Sequence, residues 1–528
     1  MKHINTFSFK NIESIPALVK DFLNLELQDF SDDVFSIKNI ETRILEKGSS
    51  FSVEQRTILK DVLSLQFQDV TLSEAQVKNL ELLTHPNTFT VTTGHQLNLF
   101  TGPVFFIYKI LQTVKTCEYL KTQFPSQHFV PMYWMATEDH DFEEINHFKT
   151  ETHYYEMNEK SGGAVGRIKI TDLHFIPEFE KEFKDSVFGT ELIMMLKEAY
   201  QQGKTLTQAI RTLVNRIFSD VGLLMIDGDS VPLKAQMKQI FKEELLNSEL
   251  KNATEQKVEF LKSKYGKVQV NPRDINLFYL SETRNRIELQ GEKFEVVDTD
   301  ISFSKEALLK ELENHPENFS PNALLRPVYQ EKVLPNIAYV GGNAEVMYWL
   351  ELKDYFRKAD VIFPVLIPRN SMLFIKEKTL GKIEKLNLEV EDFLHSFASI
   401  VQKKLLQNNE ILQLLAEQEN ILQEQFEKLK QGSEKTHFSF GSMVKAEETR
   451  QRKSFQRLKK RLLRAEKIKQ QELLERLENL FLDVHPGKTW QERVLNFSVW
   501  YADFGKEWLD ICYGNMSVDE SSLIVIAI

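Results

Sequence analysis

The sequence predicts an α/β protein: a doubly wound parallel sheet, interrupted by two inserted segments and followed by a long antiparallel helical coiled coil. Three observations point there. Strand-like runs end in polar turns and lead into apolar-periodic helices, the rhythm of such a sheet. Stretches of different texture separate these runs. From Pro368 to Pro486 no proline occurs, and glycine only at Gly381, Gly432 and Gly441, in a Leu-, Lys-, Glu- and Gln-rich stretch.

Residues 1–85 carry apolar positions at helical spacing, such as Ile58, Leu59, Val62, Leu63 and Leu65 after Ser52-Val53-Glu54, and read as amphipathic helices. Thr88-Phe89-Thr90-Val91-Thr92 is a β-branched and aromatic run, hence a strand. A helix follows from about Val104 to Leu120. A second strand, Phe129–Met135, ends in Glu138-Asp139-His140-Asp141. These helices and the first part of the core occupy 1–150. The first inserted segment is 151–220. The core resumes over 221–270 with the run Val221–Asp229, pauses for a second inserted segment at 271–320, and continues over 321–375. Heptad-like stripes (Leu405, Leu412, Leu415, Leu422, Phe426, Leu429; then Phe455, Leu458, Leu462, Ala465, with a slip before Leu473) place an antiparallel hairpin at 376–485. The segment 486–528 returns to the core and ends in a buried strand.

Composition excludes several classes. The 66 basic and 77 acidic residues leave a net charge of −11, which disfavours binding polyanions over the whole surface. Ten Lys or Arg between Arg450 and Lys469 face one Glu. They read first as a solvated helix face and second as a phosphate or nucleic-acid site, for which Phe455 alone would offer stacking. The two cysteines, Cys117 and Cys512, suit a reducing cytosol and exclude a cysteine-based zinc or iron–sulfur site. No apolar run reaches the ~18 residues of a membrane span, and the N-terminus shows no signal-peptide core. A cytoplasmic protein is expected.

Two clusters carry chemistry. Thr93-Gly94-His95-Gln96-Leu97-Asn98-Leu99-Phe100-Thr101-Gly102-Pro103 lies between a strand and a helix. Glycines there let backbone amides approach an anion, and the helix N-terminus favours negative charge. Thr93, Gly94, Gln96, Asn98, Thr101 and Gly102 are binding candidates with His95, and Lys109 in the following helix complements an anion. Glu138-Asp139-His140-Asp141 with Asn146 and His147 lies on the same sheet edge. Carboxylates beside a histidine suit general acid/base work. No metal is expected, since His140 and His147 are seven apart rather than at the closer spacing of a helical zinc pair. Gly342 and Glu345 close the pocket, Arg326 and Arg369 each suit a carboxylate, and Trp490 and Arg493 follow the coiled coil. No P-loop, GxSxG elbow or GxGxxG fingerprint is present.

The run Val91–Gln96, Thr101-Gly102-Pro103 with Tyr108-Lys109, and Trp134–His147 with its Glu138-Asp139-His140-Asp141 block, resembles the bacillithiol biosynthesis cysteine-adding enzyme family, BshC. Arg326-Pro327, Gly341-Gly342 with Glu345, the coiled coil and Gln491-Glu492-Arg493 are similar to later family blocks, and the resemblance spans most of the chain. His95 departs from a second glutamine common in the family. The resemblance implies a Rossmann-like core, dimerisation through the coiled coil to a homodimer, and ligation of cysteine to glucosaminyl-malate. Amide formation from a free carboxylate implies ATP or ADP with Mg²⁺ as cofactor, held by Trp490 and Arg493, without a tightly bound metal. His95, Asp139, His140 and Asp141 are then the catalytic candidates, with one of the last three as base. A nucleotide-dependent transferase or ligase with another acceptor, and a coiled-coil scaffold associated with nucleic acid, are the alternatives.

Overall fold

The computed structural model describes residues 1–407 and 409–528. The chain divides into two compact units. The larger comprises Met1–Asn11, Ile15–Leu373 and Trp490–Ile526, and the smaller Ile12–Ser14, Phe374–Thr489 and Ala527–Ile528.

The larger unit opens with a strand, Lys2–Ser8, where the spacing predicts only helices, and continues with helices at Ala17–Leu23, Ile37–Ser50, Val53–Gln66 and Glu74–Leu82. The last two start at Ser52 and Ser73, each closed by a glutamine three residues on in a capping box, a pattern that satisfies two otherwise orphaned backbone donors. The elements that build the site follow: β1 (Thr88–His95), α1 (Phe105–Gln123), β2 (His128–Met135), β3 (Leu224–Asp227), α2 (Val231–Ala235), β4 (Arg284–Gln290), α3 (Arg326–Val333), β5 (Asn336–Gly341), α4 (Asn343–Glu351) and β6 (Val365–Pro368).

The core sheet runs β6-β5-β1-β2-β3 with every pair parallel. Helices cover parallel strands on both faces, so the strands read as apolar runs rather than alternations. Phe89, Val91, Phe129, Ile337, Val340, Val365 and Ile367 pack in one cluster with Cys117 and Leu120 of α1. Each such fully buried side chain contributes about 1.5–3 kcal/mol. The chain moves outward from β1 to β2 and β3, then returns to lay β5 on the other flank of β1. The order therefore reverses between β1 and β5, and a crevice at the carboxyl ends of those strands is where such sheets bind ligands.

The connection from β2 to β3 carries helices at Phe175–Phe183, Gly189–Ala199 and Leu206–Phe218. Between β3 and α3 stands a separate antiparallel sheet in the order Ser302–Phe303, Lys293–Val296, β4, Leu277–Leu280, Phe319–Pro321. Among the described residues no helix is long and apolar enough to cross a membrane.

In the smaller unit α5 (Glu410–Ser433) and α6 (Phe438–Lys469) form the hairpin, and α7 (Gln471–Val484) follows. Lys459 meets Glu419 at 2.5 Å and Lys430 meets Glu448 at 2.7 Å. Numbers that fall along one arm rise along the other, so the arms are antiparallel. The slip read before Leu473 is a real break: Gln470, at φ −117° and ψ 39°, leaves helical geometry. Two short helices, Glu377–Lys385 and Phe397–Leu406, precede the arms within the span 376–485.

Candidate active site

The turn after β1 has an unusual backbone. Phe100, Thr101 and Gly102 have φ of 46°, 69° and 62° in succession, and non-glycine residues there cost about 1–3 kcal/mol each unless the surroundings hold them. Asn496 holds them: its Nδ2 donates to the carbonyls of Phe100 and Gly102, both at 2.7 Å. The Phe100 ring is buried against Phe148, Phe179 and Phe497. At Gly102 a Cβ would lie 2.7 Å from the Asn98 Cβ.

The same turn leaves polar atoms without partners. His95 Nε2, Asn98 Oδ1 and Thr101 Oγ1 are buried and have no hydrogen-bond partner among the described residues. Buried polar groups are otherwise almost always satisfied, so each calls for an explanation. The His95 ring stacks on Phe106 at 4.7 Å. Burial, then the cations Lys109, Arg369 and Arg326, push its pKa well below 6.5, and the ring is neutral near pH 7.

At the reversal point between β1 and β5, Glu345 in the first turn of α4 gathers donors. It accepts from Lys109 Nζ at 2.7 and 2.9 Å, from Tyr339 OH at 2.7 Å and from the Gly342 amide at 2.7 Å. Burial alone would raise its carboxyl; the Lys109 charge and these hydrogen bonds hold it below the usual range instead. Lys109 also donates to the Gly94 carbonyl. The lysine therefore ties β1 to α4 and is already neutralised by protein, a correction to its expected role as a free anion partner.

The turn after β2 lies beside the first because the two strands pair over eight residues, from Thr88 with His128 to His95 with Met135. Gln96 bridges the turns, donating to Asp139 Oδ2 at 2.9 Å and Glu144 Oε2 at 3.0 Å. Asp139 Oδ1 accepts from the His140 amide at 2.8 Å. Burial pulls the Asp139 pKa up, but the Gln96 hydrogen bond and the nearby Arg284 and Arg326 charges bring it below the ordinary value, so Asp139 is ionised. Glu138 meets Lys234 of α2 at 2.5 Å. Thr137 Oγ1 donates to Asp227 at the end of β3. Both inserted segments touch this turn: the amides of Val165 and Gly166 donate to the carbonyls of Asp139 and Thr137 at 2.7 and 2.8 Å, and Arg284 Nη1 lies 3.0 Å from His140 Nδ1.

A cavity of about 260 Å³ opens at this turn. Glu138, Asp139 and His140 line it together with Arg273, Arg284, Arg286 and Arg326. Arg326, the first residue of α3, reaches Tyr348 OH at 3.3 Å. Among the described residues no group of three or more His, Cys, Asp or Glu is arranged to hold a metal ion.

The expected site residues divide. Gly94, His95, Gln96, Lys109, Glu138, Asp139, His140, Arg326, Gly342 and Glu345 meet around the two turns. Others are taken up by the protein. Thr93 Oγ1 donates to the Val340 carbonyl at 2.8 Å and stitches β1 to β5. Asp141 caps the one-turn helix Phe142–Ile145, accepting from the Glu144 amide at 3.2 Å. Asn146 donates to Glu156 at 3.2 Å. Arg369, expected to clamp a substrate carboxylate, instead forms a buried two-pronged pair with Glu492 at 2.7 and 2.9 Å. Trp490 packs edge-on to Phe9. Arg493 is exposed, with its guanidinium 5.9 Å from the Phe105 ring centre at the start of α1. Sequence reasoning missed Arg284, Lys234 and Tyr339. Arg284 sits in a strand with no motif around it, and Lys234 is one lysine among many. Only the run Val221–Asp229, ending in acids, signalled Asp227.

Comparison with known proteins agrees with this fold. The family model described as the N-terminal Rossmann-like domain of bacillithiol biosynthesis BshC matches residues 5–370. The model of that family's C-terminal coiled-coil domain matches residues 372–527. Relatives designated cysteine ligase BshC include one from Flavobacterium johnsoniae, 39% identical over 525 residues and 99% of each chain. One from Flavobacterium psychrophilum is 41% identical over 506 residues, 95% of each chain. One from Christiangramia forsetii is 38% identical over 514 residues, 95% of each. With the two family models together matching residues 5–370 and 372–527, and the parallel core sheet and the hairpin in place, the chain belongs to the BshC family of bacillithiol biosynthesis.

Proposed function

We propose that this chain is a ligase that joins the carboxyl group of L-cysteine to the amine of glucosaminyl-malate, working as a cytoplasmic homodimer. One observation carries the reading. A turn with three buried polar atoms that have no partner among the described residues lies beside a turn whose ionised carboxylate lines an arginine-bearing cavity. That pairing suits two substrates, one held for activation and one for deprotonation.

Amide formation requires a neutral amine and an activated carboxyl group. Asp139 is ionised and takes the proton from the attacking ammonium. Arg273, Arg286 and Arg326 suit the two carboxylates of malate, which planar guanidinium groups bind in pairs. His95, Asn98 and Thr101 hold a polar group of the cysteine or of its activating partner, and the start of α1 favours an anion there. ATP with Mg²⁺, when bound, supplies the leaving group that makes amide closure downhill. The donor set fits a phosphate, with His95 Nε2 and Thr101 Oγ1 unpartnered and Arg493 exposed at the start of α1.

The homodimer is supported by the smaller unit. Ile411, Leu414, Ile421, Leu429, Met443 and Leu458 remain exposed on the hairpin arms, more apolar surface than a solvated hairpin needs. Buried free thiols at Cys117 and Cys512 suit a reducing compartment.

The test is mass spectrometry of the full chain with cysteine and glucosaminyl-malate, with and without ATP–Mg²⁺. A product of both masses less water, formed only with ATP, supports the reading. No product from folded protein in either condition removes this substrate pair. Sedimentation of the same sample decides between monomer and dimer.

A further inference from the structure

Arg284 decides which nitrogen of His140 carries the proton. Its Nη1 lies 3.0 Å from His140 Nδ1. A guanidinium has N–H donors and no acceptor, so Nδ1 must present its lone pair, and in the neutral ring the proton sits on Nε2. The competing partner is too far: Asp139 Oδ1 is 3.7 Å from Nδ1 and already accepts from the His140 amide. Arg284 is itself fixed. It donates to Ser320 Oγ at 2.9 Å and the Pro321 carbonyl at 2.8 Å, and lies 3.9 Å from the centre of the Phe278 ring. That ring also flanks His140 at 5.5 Å.

We infer that His140 is not the base of the reaction but a neutral hydrogen-bond donor, presenting Nε2–H to an oxygen of the substrate in the cavity, and that Arg284 is the positioning residue that sets this tautomer. A base needs a free lone pair. The one lone pair of the neutral ring faces a permanent cation, and protonating it would set two positive charges 3 Å apart. Burial and then the Arg284 charge do lower the His140 pKa, in keeping with a ring that stays neutral. The division of labour follows: Asp139 accepts the proton, and His140 steadies an oxygen. The role in ligation rests on the function proposed above; the tautomer does not.

The two are tested separately. Long-range ¹H–¹⁵N spectra of the histidine-labelled full chain at pH 7, with the His140 signals identified by their loss in His140→Gln, should show protonated Nε2 and unprotonated Nδ1. In Arg284→Met the ring should become a mixture of tautomers with a raised pKa, and Arg284→Lys should restore Nε2–H. In the ligation assay His140→Gln, whose amide nitrogen can donate from a similar place, should lose about tenfold in kcat, while His140→Leu should lose about 100–1,000-fold, the scale for removing one positioned donor. A proton on Nδ1 or a charged ring in the wild type overturns the tautomer. Gln and Leu variants equally inactive overturn the donor role, because a base is lost in both. If the wild type makes no product, the ligase reading fails, and glucosaminyl-malate added to the labelled chain still decides the donor role: a downfield shift of the His140 Nε2 proton supports it and an unchanged signal overturns it.

Discussion

The two turns at the edge of the core sheet are built on opposite principles. The turn after β1 is strained in its backbone and leaves His95, Asn98 and Thr101 with unused polar atoms. The turn after β2 assigns nearly every polar group a protein partner: Thr137 to Asp227, Glu138 to Lys234, Asp139 to Gln96, His140 to Arg284. A group left unsatisfied in a buried turn waits for something that is not protein. A group already satisfied has its charge and proton placed in advance. In the function proposed above the first turn holds and the second reacts, and preorganised charge is usually the larger part of catalysis.

The largest effect should come from cutting the tie between the turns and α4. Lys109→Met leaves the Glu345 carboxylate largely buried without its cation, and should cost about 2–4 kcal/mol in urea unfolding, near the range for breaking a buried pair, with ligation abolished. Asp139→Asn should sharpen the contrast. Its fold should be unchanged within about 0.5 kcal/mol while ligation falls by about 10²–10⁴, the range for losing a general base. Retained activity would remove Asp139 from the chemistry. Gly102→Ala attacks the strained turn. At φ 62° with Asn98 at 2.7 Å it should lose about 1–3 kcal/mol and weaken substrate binding more than kcat, which steady-state kinetics will separate.

The smallest effect concerns Asp227 beneath the second turn. Burial, then repulsion from Asp229, raises its pKa from 3.8 to about 6. A carboxyl whose folded pKa exceeds its unfolded value adds stability that is fully present below pH 3.8 and lost as pH rises through 6. Asp227→Asn should therefore be the more stable protein above pH 6, by about 1–2 kcal/mol once its partial exposure is allowed for, with the advantage shrinking as pH falls toward 4. Equal stability curves for the two proteins would show that Asp227 is not strained.

The core was legible because its strands are buried on both faces and its turns are polar. Thr88–Thr92, Phe129–Met135 and the run ending in Asp227-Gly228-Asp229 needed no tertiary knowledge to place. The hairpin was legible from its proline-free heptads, and even the helix break at Gln470 left its mark as a slip in the stripe. What the sequence hides is pairing at long range. Nothing near Arg284 hints that it lies against His140, 144 residues earlier. Nor does Arg369 announce that its carboxylate partner is Glu492, in the protein itself. Local pattern reports which residues a turn contains; only the fold reports which have been spent on one another.

Asn496, which clamps the carbonyls of Phe100 and Gly102, stands nearly four hundred residues downstream of them. On the ribosome, the first turn emerges early and waits through the synthesis of both insertions and the entire hairpin before its clamp exists. A prematurely ended chain therefore lacks the clamp on its strained turn, however well its sheet has formed. Truncation upstream of Asn496 should yield inert protein rather than a slow enzyme, so the cell would be spared fragments that bind substrates without completing the reaction.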